Sequence, residues 1–491
     1  MRTRVQEWLG LCIVALIFAA NLFAGNDIRL VEAAKSQNAE AARVLLKQHA
    51  DVNAQIDGAT ALHWAAHWDD LQTADLLIQS GANVNSANDL GVTPLALACM
   101  NRNAVMVEKL LTAGANPNAA TTAGESVLMT AARTGNVDVV KALLAHGANV
   151  NTKGTSREQT PLMWAVAEQH PDVVRILLEH GADVHARSRE NSLLVYTGEP
   201  SVAAGRNAAS MVRTVEKGGS TPLLFAARTG DLESARLLVA AGANVNDAAP
   251  DGNSALVLAS HSGHGKLAAF LLDKDANPNA AGAGYSALHA AVLRDDLDLV
   301  KSLLAHGANP NATISQGTES IREGKDFVLP SALVGATPFF LAAKLVEVDI
   351  MRVLRQSGAD PHLATKDGTT PLLAAAGVGW DVGADRRGAP YLDPITAQDK
   401  QLTLDAVKLA IELGADVNAV NQAGDTALHG TAAKGFDSVL QLLSDKGAAL
   451  NVKNKRGQTP LALTRDAGAG AARGQPELRS TAELLRKLGA K

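Results

Sequence analysis

At 491 residues the chain is longer than one hydrophobic core usually serves, so it is expected to divide into domains or to be built from stacked units. Aromatic residues are only 3% while hydrophobic residues are 47%, which leaves the packing mainly to Ala, Leu and Val and suits closely packed helices. A net charge of −5 gives no ground for a general nucleic-acid surface.

The N-terminus differs from the rest. Arg2 and Arg4 precede a run from Trp8 to Ala20 without a charged or polar side chain, and "NLFAGND" follows. A basic start, a short apolar stretch and small residues after it predict a secretory signal over residues 1–24, cleaved after Ala24. The run is shorter than the roughly 20 residues of a membrane span, which weighs against an uncleaved anchor, the competing reading. The expected location is exported, periplasmic or secreted, with a membrane involved only if the signal stays attached. Cleavage leaves Cys99 as the only cysteine. It cannot form an intrachain disulfide and reads as a small buried hydrophobe in "LALAC".

From residue 26 onward one phrase recurs. "TALHWAAHWDDLQTADLLIQSGANVNS" starts at Thr60, "TPLALACMNRNAVMVEKLLTAGANPNA" at Thr93 and "TPLMWAVAEQHPDVVRILLEHGADVHA" at Thr160, and further copies start at Ser126, Thr221, Ser254, Ser286, Thr337, Thr370, Thr426 and Thr459. A period near 33 residues predicts a repeat architecture of about twelve units, starting near 26, 58, 91, 124, 158, 219, 252, 284, 335, 368, 424 and 457. In every unit but the first, which reads as an N-terminal cap, Ser or Thr caps a short first helix, with Pro at its first position in many copies. In the unit at Ser126 that helix is expected to end near Thr134–Gly135. A second helix follows with Val137, Val140, Leu143 and Leu144 on one face, and Gly147 stops it. A hairpin-like loop closes the unit, with a tight turn at glycines such as Gly91 and Gly124. Two such helices bury too little alone, so neighbours must stack.

"GATALHWAA", "VLLKQHADVNA" and "IELGADVNAV" resemble the ankyrin repeat, and the resemblance covers essentially everything after residue 25. It implies an all-α repeat solenoid of helix-turn-helix units, and a non-enzymatic scaffold that binds a protein or peptide. It also implies that His63, His289 and His429, in the histidine slot of the "TALH" phrase, form hydrogen bonds within and between units. His146, His180 and His306 precede the glycine that ends the second helix, where a cation is favourable. No metal-binding or catalytic motif is present, and no cofactor is expected. Trp64 and Trp164, mid-helix in equivalent slots, are expected to pack in the core.

Function is expected where the units differ. The resemblance implies a concave side formed by hairpin tips and first-helix ends. There His67 and Trp68 offer an exposed aromatic patch, joined by Met100. Arg133, Arg228, Arg294, Lys344 and Lys434 would form a broken basic line, although ordinary solvated cations explain them equally well. Insertions at 188–219 and 312–335 enlarge hairpins, and one at 377–401 separates two helices. The third carries Trp380, Arg386, Arg387 and Tyr391 in "GWDVGADRRGAPYLD", a candidate contact loop that could be removed with little effect on stability. The expected protein is a monomeric binding scaffold of the cell envelope. The alternatives are an enzyme with its site in the 377–401 insertion, or a secreted effector acting on a host protein.

Overall fold

The computed structural model describes residues 28–196, 212–317, 333–380, 386, 395–466 and 476–491. The signal at 1–24, Arg387 and Tyr391 lie outside the described residues, as do parts of the three insertions. Contacts divide the chain into two compact bodies. One runs to Arg189 and includes Arg236–Gly242, and the other comprises Glu190–Ala235 and Ala243–Lys491.

In the first body, helices come in pairs: α1 (Arg29–Lys35) with α2 (Ala39–Lys47), α3 (Ala61–His67) with α4 (Leu71–Gln79), α5 (Pro94–Met100) with α6 (Ala104–Thr112), α7 (Val127–Thr134) with α8 (Val137–Ala145), and α9 (Pro161–Ala167) with α10 (Pro171–Glu179). A two-residue hairpin, β1 (Gln55–Ile56) with β2 (Ala59–Thr60), leads into α3. Next come strands β3 (Glu190–Tyr196) and β4 (Val212–Gly218), then α11 (Pro222–Thr229) and α12 (Leu232–Ala240). The second body continues with α13 (Ala255–His261) and α14 (Gly265–Leu272), α15 (Ala287–Leu293) and α16 (Leu297–Ala305), and α17 (Pro338–Leu345) and α18 (Val348–Gln356). It ends with α19 (Pro371–Ala375) and α20 (Ala397–Glu412), α21 (Ala427–Lys434) and α22 (Asp437–Asp445), and α23 (Pro460–Asp466) and α24 (Pro476–Leu488). This is a helical repeat solenoid. Among the described residues no helix is long and apolar enough to cross a membrane.

The helices start where capping chemistry places them. Thr93, Ser126 and Thr160 hydroxyls accept from the amides of Ala96, Met129 and Met163 at 3.2–3.3 Å. Second helices use Asn or Asp instead: Asn38, Asp70, Asn103, Asn136 and Asp296 each accept the third helical amide at 2.9–3.1 Å. Packing then fixes the faces. On α8 the buried side chains are Val139, Val140 and Leu143, whereas Val137 and Leu144 only flank them, so the apolar face is turned slightly from the sequence expectation.

Asparagines lace neighbouring repeats together. The Oδ1 atoms of Asn53, Asn85, Asn118 and Asn151 accept the backbone N–H of Asn83, Asn116, Asn149 and Asp183 at 2.7–2.8 Å. The Nδ2 groups of Asn85, Asn118 and Asn151 donate to the carbonyls of Gly114, Gly147 and Gly181. The second body repeats this from Asn246 to Asn277 and from Asn279 to Asn309. Asn311 reaches Asp360, so this lacing bridges the 312–335 insertion. Its base is pinned as well, because Ile314 and Ala336 share a hydrogen bond, as do Gly335 and Ile314.

The 188–219 insertion begins and ends as an antiparallel ribbon, Glu190 opposite Gly218 through Tyr196 opposite Val212. Backbones approach closely at the turns. A Cβ on Gly252, which sits at φ +83°, would lie 2.2 Å from the carbonyl carbon of Gly282.

Candidate protein-binding surface

Burial along the first helices decides what each repeat presents. In α3, Ala61, Leu62, His63, Ala65 and Ala66 are buried, but Trp64 between them is half-exposed. The same slot holds Leu97, Trp164, Phe225 and Leu258, all half-exposed. Trp64 and Trp164 are therefore not core residues, contrary to the sequence expectation. In α7, α15, α17, α19 and α21 the same slot is buried (Thr130, Ala290, Leu341, Ala374 and Gly430), so the helix alone does not open it and the stacked neighbours decide. Each ring is met by a cation from the preceding repeat. Lys35 Nζ lies 5.3 Å from the Trp64 centroid, and the Arg133 guanidinium 5.9 Å from that of Trp164. Sequence reasoning missed that these two rings are only partly buried. The variety of side chains in that slot, against the uniform Ala and Leu beside it, was the signal that could have found them.

His67 stands edge-on to Trp64 at 5.7 Å and to Trp68 at 4.6 Å. Trp68 is 45% exposed while its indole N–H donates to the Lys35 carbonyl. Met100, on the next repeat, is 41% exposed. Asn101 beside it donates to the carbonyls of Ala66 and His67, which ties the two repeats where these side chains emerge. His67, Trp68, Met100, Trp64 and Leu97 thus share one face of the first body, bordered by Lys35.

The cations are not a free row. Arg133 pairs with Glu125 at 3.2 Å as well as covering Trp164. Arg294 Nε donates to the His261 carbonyl at 2.6 Å. Lys344 Nζ donates to the Arg386 carbonyl, and Lys434 lies 4.9 Å from the Trp380 ring. Arg228 is exposed, and its carbonyl accepts from His264.

Several of these bonds belong to one pattern. The carbonyls at the end of a first helix accept a side chain from the following repeat: Trp68 to Lys35, Asn101 to Ala66, Asn136 to Arg102, His170 to Arg133, His264 to Arg228 and Arg294 to His261. At the end of α17 that role falls to Arg386. Its Nη1 donates to Lys344 O at 2.9 Å, and its Nη2 to Ala375 O at 3.2 Å and to Thr403 Oγ1 at 2.8 Å. Burial lowers its pKa to about 10, against an opposing pull from the Asp399 charge. Trp380 stacks on Phe436, with ring centroids 6.0 Å apart. The described part of the 377–401 insertion is therefore built into the fold, which corrects the expectation that it could be removed at little cost.

The motif histidines hold the stack. His63 Nδ1 accepts the Thr60 amide at 3.1 Å, and its Nε2 lies 3.0 Å from the Val92 carbonyl of the next repeat. His429 does the same with Thr426 and Gln458. His289, fully buried, reaches Ala336 across the whole 312–335 insertion. Burial lowers all three pKa values, that of His289 to about 4. His180 and His306 bond carbonyls of their own last helical turn. Cys99 is buried, and desolvation raises its thiol to about 12. Among the described residues no group of three or more His, Cys, Asp or Glu could hold a metal ion.

Comparison with known proteins agrees with this architecture. The family model for ankyrin repeats in tandem matches residues 30–121, 95–188, 202–282 and 223–314, and the single-repeat model matches 423–455. The chain is 35% identical over 239 residues to human ankyrin repeat and SOCS box protein 16, covering 45% of this chain and 49% of that protein. It is 30% identical over 213 residues to the chicken nuclear factor NF-kappa-B p105 subunit, covering 35% of this chain and 22% of the relative. A putative ankyrin repeat-containing protein of Treponema pallidum (strain Nichols) is 42% identical over 94 residues, 19% of this chain and 32% of the relative. The chain thus spans about half or less of these relatives' length. With tandem matches over more than half its length and the paired helices just described, the chain belongs to the ankyrin repeat family, whose repeats mediate protein–protein contacts.

Proposed function

We propose that the protein is a non-enzymatic scaffold that binds a protein or peptide through the first-helix face of its first body. The supporting observation is the exposed aromatic and thioether surface of Trp68 and Met100, set beside His67 and Trp64 on repeats held rigid by cross-repeat bonds. A preformed surface loses little conformational freedom on binding, and Trp is enriched among residues that dominate such contacts. An enzymatic reading of the 377–401 insertion would draw on Trp380 and Arg386, and both are engaged in packing. The basic start and apolar run at residues 1–24 support export, and hence a partner in the cell envelope or outside the cell.

The test is capture from the native envelope fraction on immobilised protein, with mass spectrometry of what is retained. Replacing Trp68 and Met100 with Ala should weaken retention of the captured partner at least tenfold, a typical loss for hot-spot residues at roughly 2 kcal/mol. Equal retention by wild type and variant would remove this surface from consideration. N-terminal sequencing of the same material reads the export proposal: an intact Met1 would overturn cleavage at Ala24.

A further inference from the structure

The joint between α17 and α19 differs from the six joints named above in where its bonding side chain originates. At those six the side chain that closes a joint stands on the following repeat itself, within or directly beside its helices, as Asn101, His170 and Arg294 do. Here it is Arg386, in the insertion between α19 and α20. The site it fills is specific in shape. Lys344 O, Ala374 O and Ala375 O are carbonyls near the C-terminal ends of two helices, where the partial charge is negative and a cation is favoured. The Thr403 hydroxyl donates its own proton to Asp399 O, so it turns a lone pair toward the guanidinium. Trp380 supplies a ring face 4.5 Å from the guanidinium carbon, and Phe436 a second at 5.9 Å. Two nitrogens of a planar fork meet four acceptors, a pattern that a lysine ammonium cannot span. The guanidinium is held chiefly by carbonyl dipoles and ring faces, with the Asp399 carboxylate adding a favourable charge.

We propose that these carbonyls, the Thr403 hydroxyl and the Trp380 face form an arginine-receiving pocket, filled in cis by Arg386 and able to take an arginine side chain from a protein partner in its place. The proposal rests on the reading of the chain as a protein-binding scaffold and names the chemistry of one partner contact. Arg386 stands on none of the described helices of the stack, so exchanging its side chain for a partner's removes no stacked helix. Its departure leaves helix-end carbonyls bare, so occupancy of the pocket is coupled to local stability of α19 and the end of α17.

Hydrogen exchange measured by mass spectrometry on the full chain tests this, with Arg386→Ala and Arg386→Lys against wild type. Amides of α19 and of the last turn of α17 should exchange at least tenfold faster in both variants. Amides of α3 to α10 should stay unchanged and show that each variant is folded. N-acetyl-arginine amide added to the Arg386→Ala protein should then slow exchange at α19 saturably, and N-acetyl-lysine amide should not. Unchanged exchange in the variants would overturn the clamp. Protection by both amides, or by neither, would overturn the pocket's selectivity for arginine. The probe is a single capped residue, so this result is independent of whether the Trp68 and Met100 surface captures a partner.

Discussion

A histidine in the first turn of a repeat helix is a hydrogen-bonding strut, and its protonation state matters. His289 uses Nδ1 to accept from the Ser286 amide and Nε2 to donate to Ala336 O, which requires the neutral ring. Its pKa is lowered from 6.5 to about 4, chiefly by burial. The unfolded chain therefore takes up the proton first as pH falls. The stabilising contribution is complete above about pH 6.5 and is lost progressively as pH drops towards 4. From pH 7.5 to pH 5 this one residue should remove about 2 kcal/mol of unfolding free energy. Urea titrations at the two pH values, compared with His289→Gln, measure it: the variant should lose most of that pH dependence. His63 and His429 shift in the same direction and steepen the overall acid response. The slot of these histidines is evident in the "TALH" phrase, but the depth of His289 follows from the closed base of the 312–335 insertion above it.

At the scale of elements, the asparagine lacing shows how a loop phrase becomes load-carrying structure. The second Asn of "ANVN" or "ANPN" joins two repeats through the oxygen and the nitrogen of its one side-chain amide, so its replacement breaks bonds to both a backbone N–H and a carbonyl. Asn118→Ala should cost about 1–2 kcal/mol, at the modest end because the site is solvent-exposed. Denaturant unfolding should show a lower midpoint with an unchanged slope. The lacing halts where the phrase ends in histidine, at His185 and His362, and the 188–219 and 377–401 insertions follow those two positions. Helix starts were legible because capping is local: Ser, Thr, Asn or Asp, then an apolar run. The half-exposed state of Trp64 and Trp164 was not, since a seven-residue helix shows no clear apolar stripe and only the stacked neighbours define which side stays open.

For the whole molecule, the insertion at 377–401 carries the clearest energetic consequence. Joining Ala376 to Gln401 would shorten the connection, and loop closure changes by only ~0.6 kcal/mol per doubling of length. It would also remove the Arg386 bonds and the Trp380–Phe436 stack. Charged hydrogen bonds are worth roughly 1.5–3 kcal/mol, so the loss wins and the excised protein should be less stable by at least about 2 kcal/mol. Thermal unfolding of the excised chain beside Arg386→Ala measures this; equal stability of excised and intact protein would show that the insertion is passive.

The period near 33 residues, the capping residues and the turn glycines were determined by the sequence alone, because each rests on backbone chemistry within a few residues. So was the membership of a repeat family, since many copies in register leave little room for another fold. Only the tertiary structure decided which residues face outward and which charges are already engaged. Arg386 looked like an exposed contact residue in "GADRRGAP", yet it bonds Lys344 O, 42 positions earlier in the chain. No local rule anticipates such a bond. A carbonyl at a helix end accepts whichever donor the folded chain brings to it, and which donor arrives depends on how repeats and insertions stack.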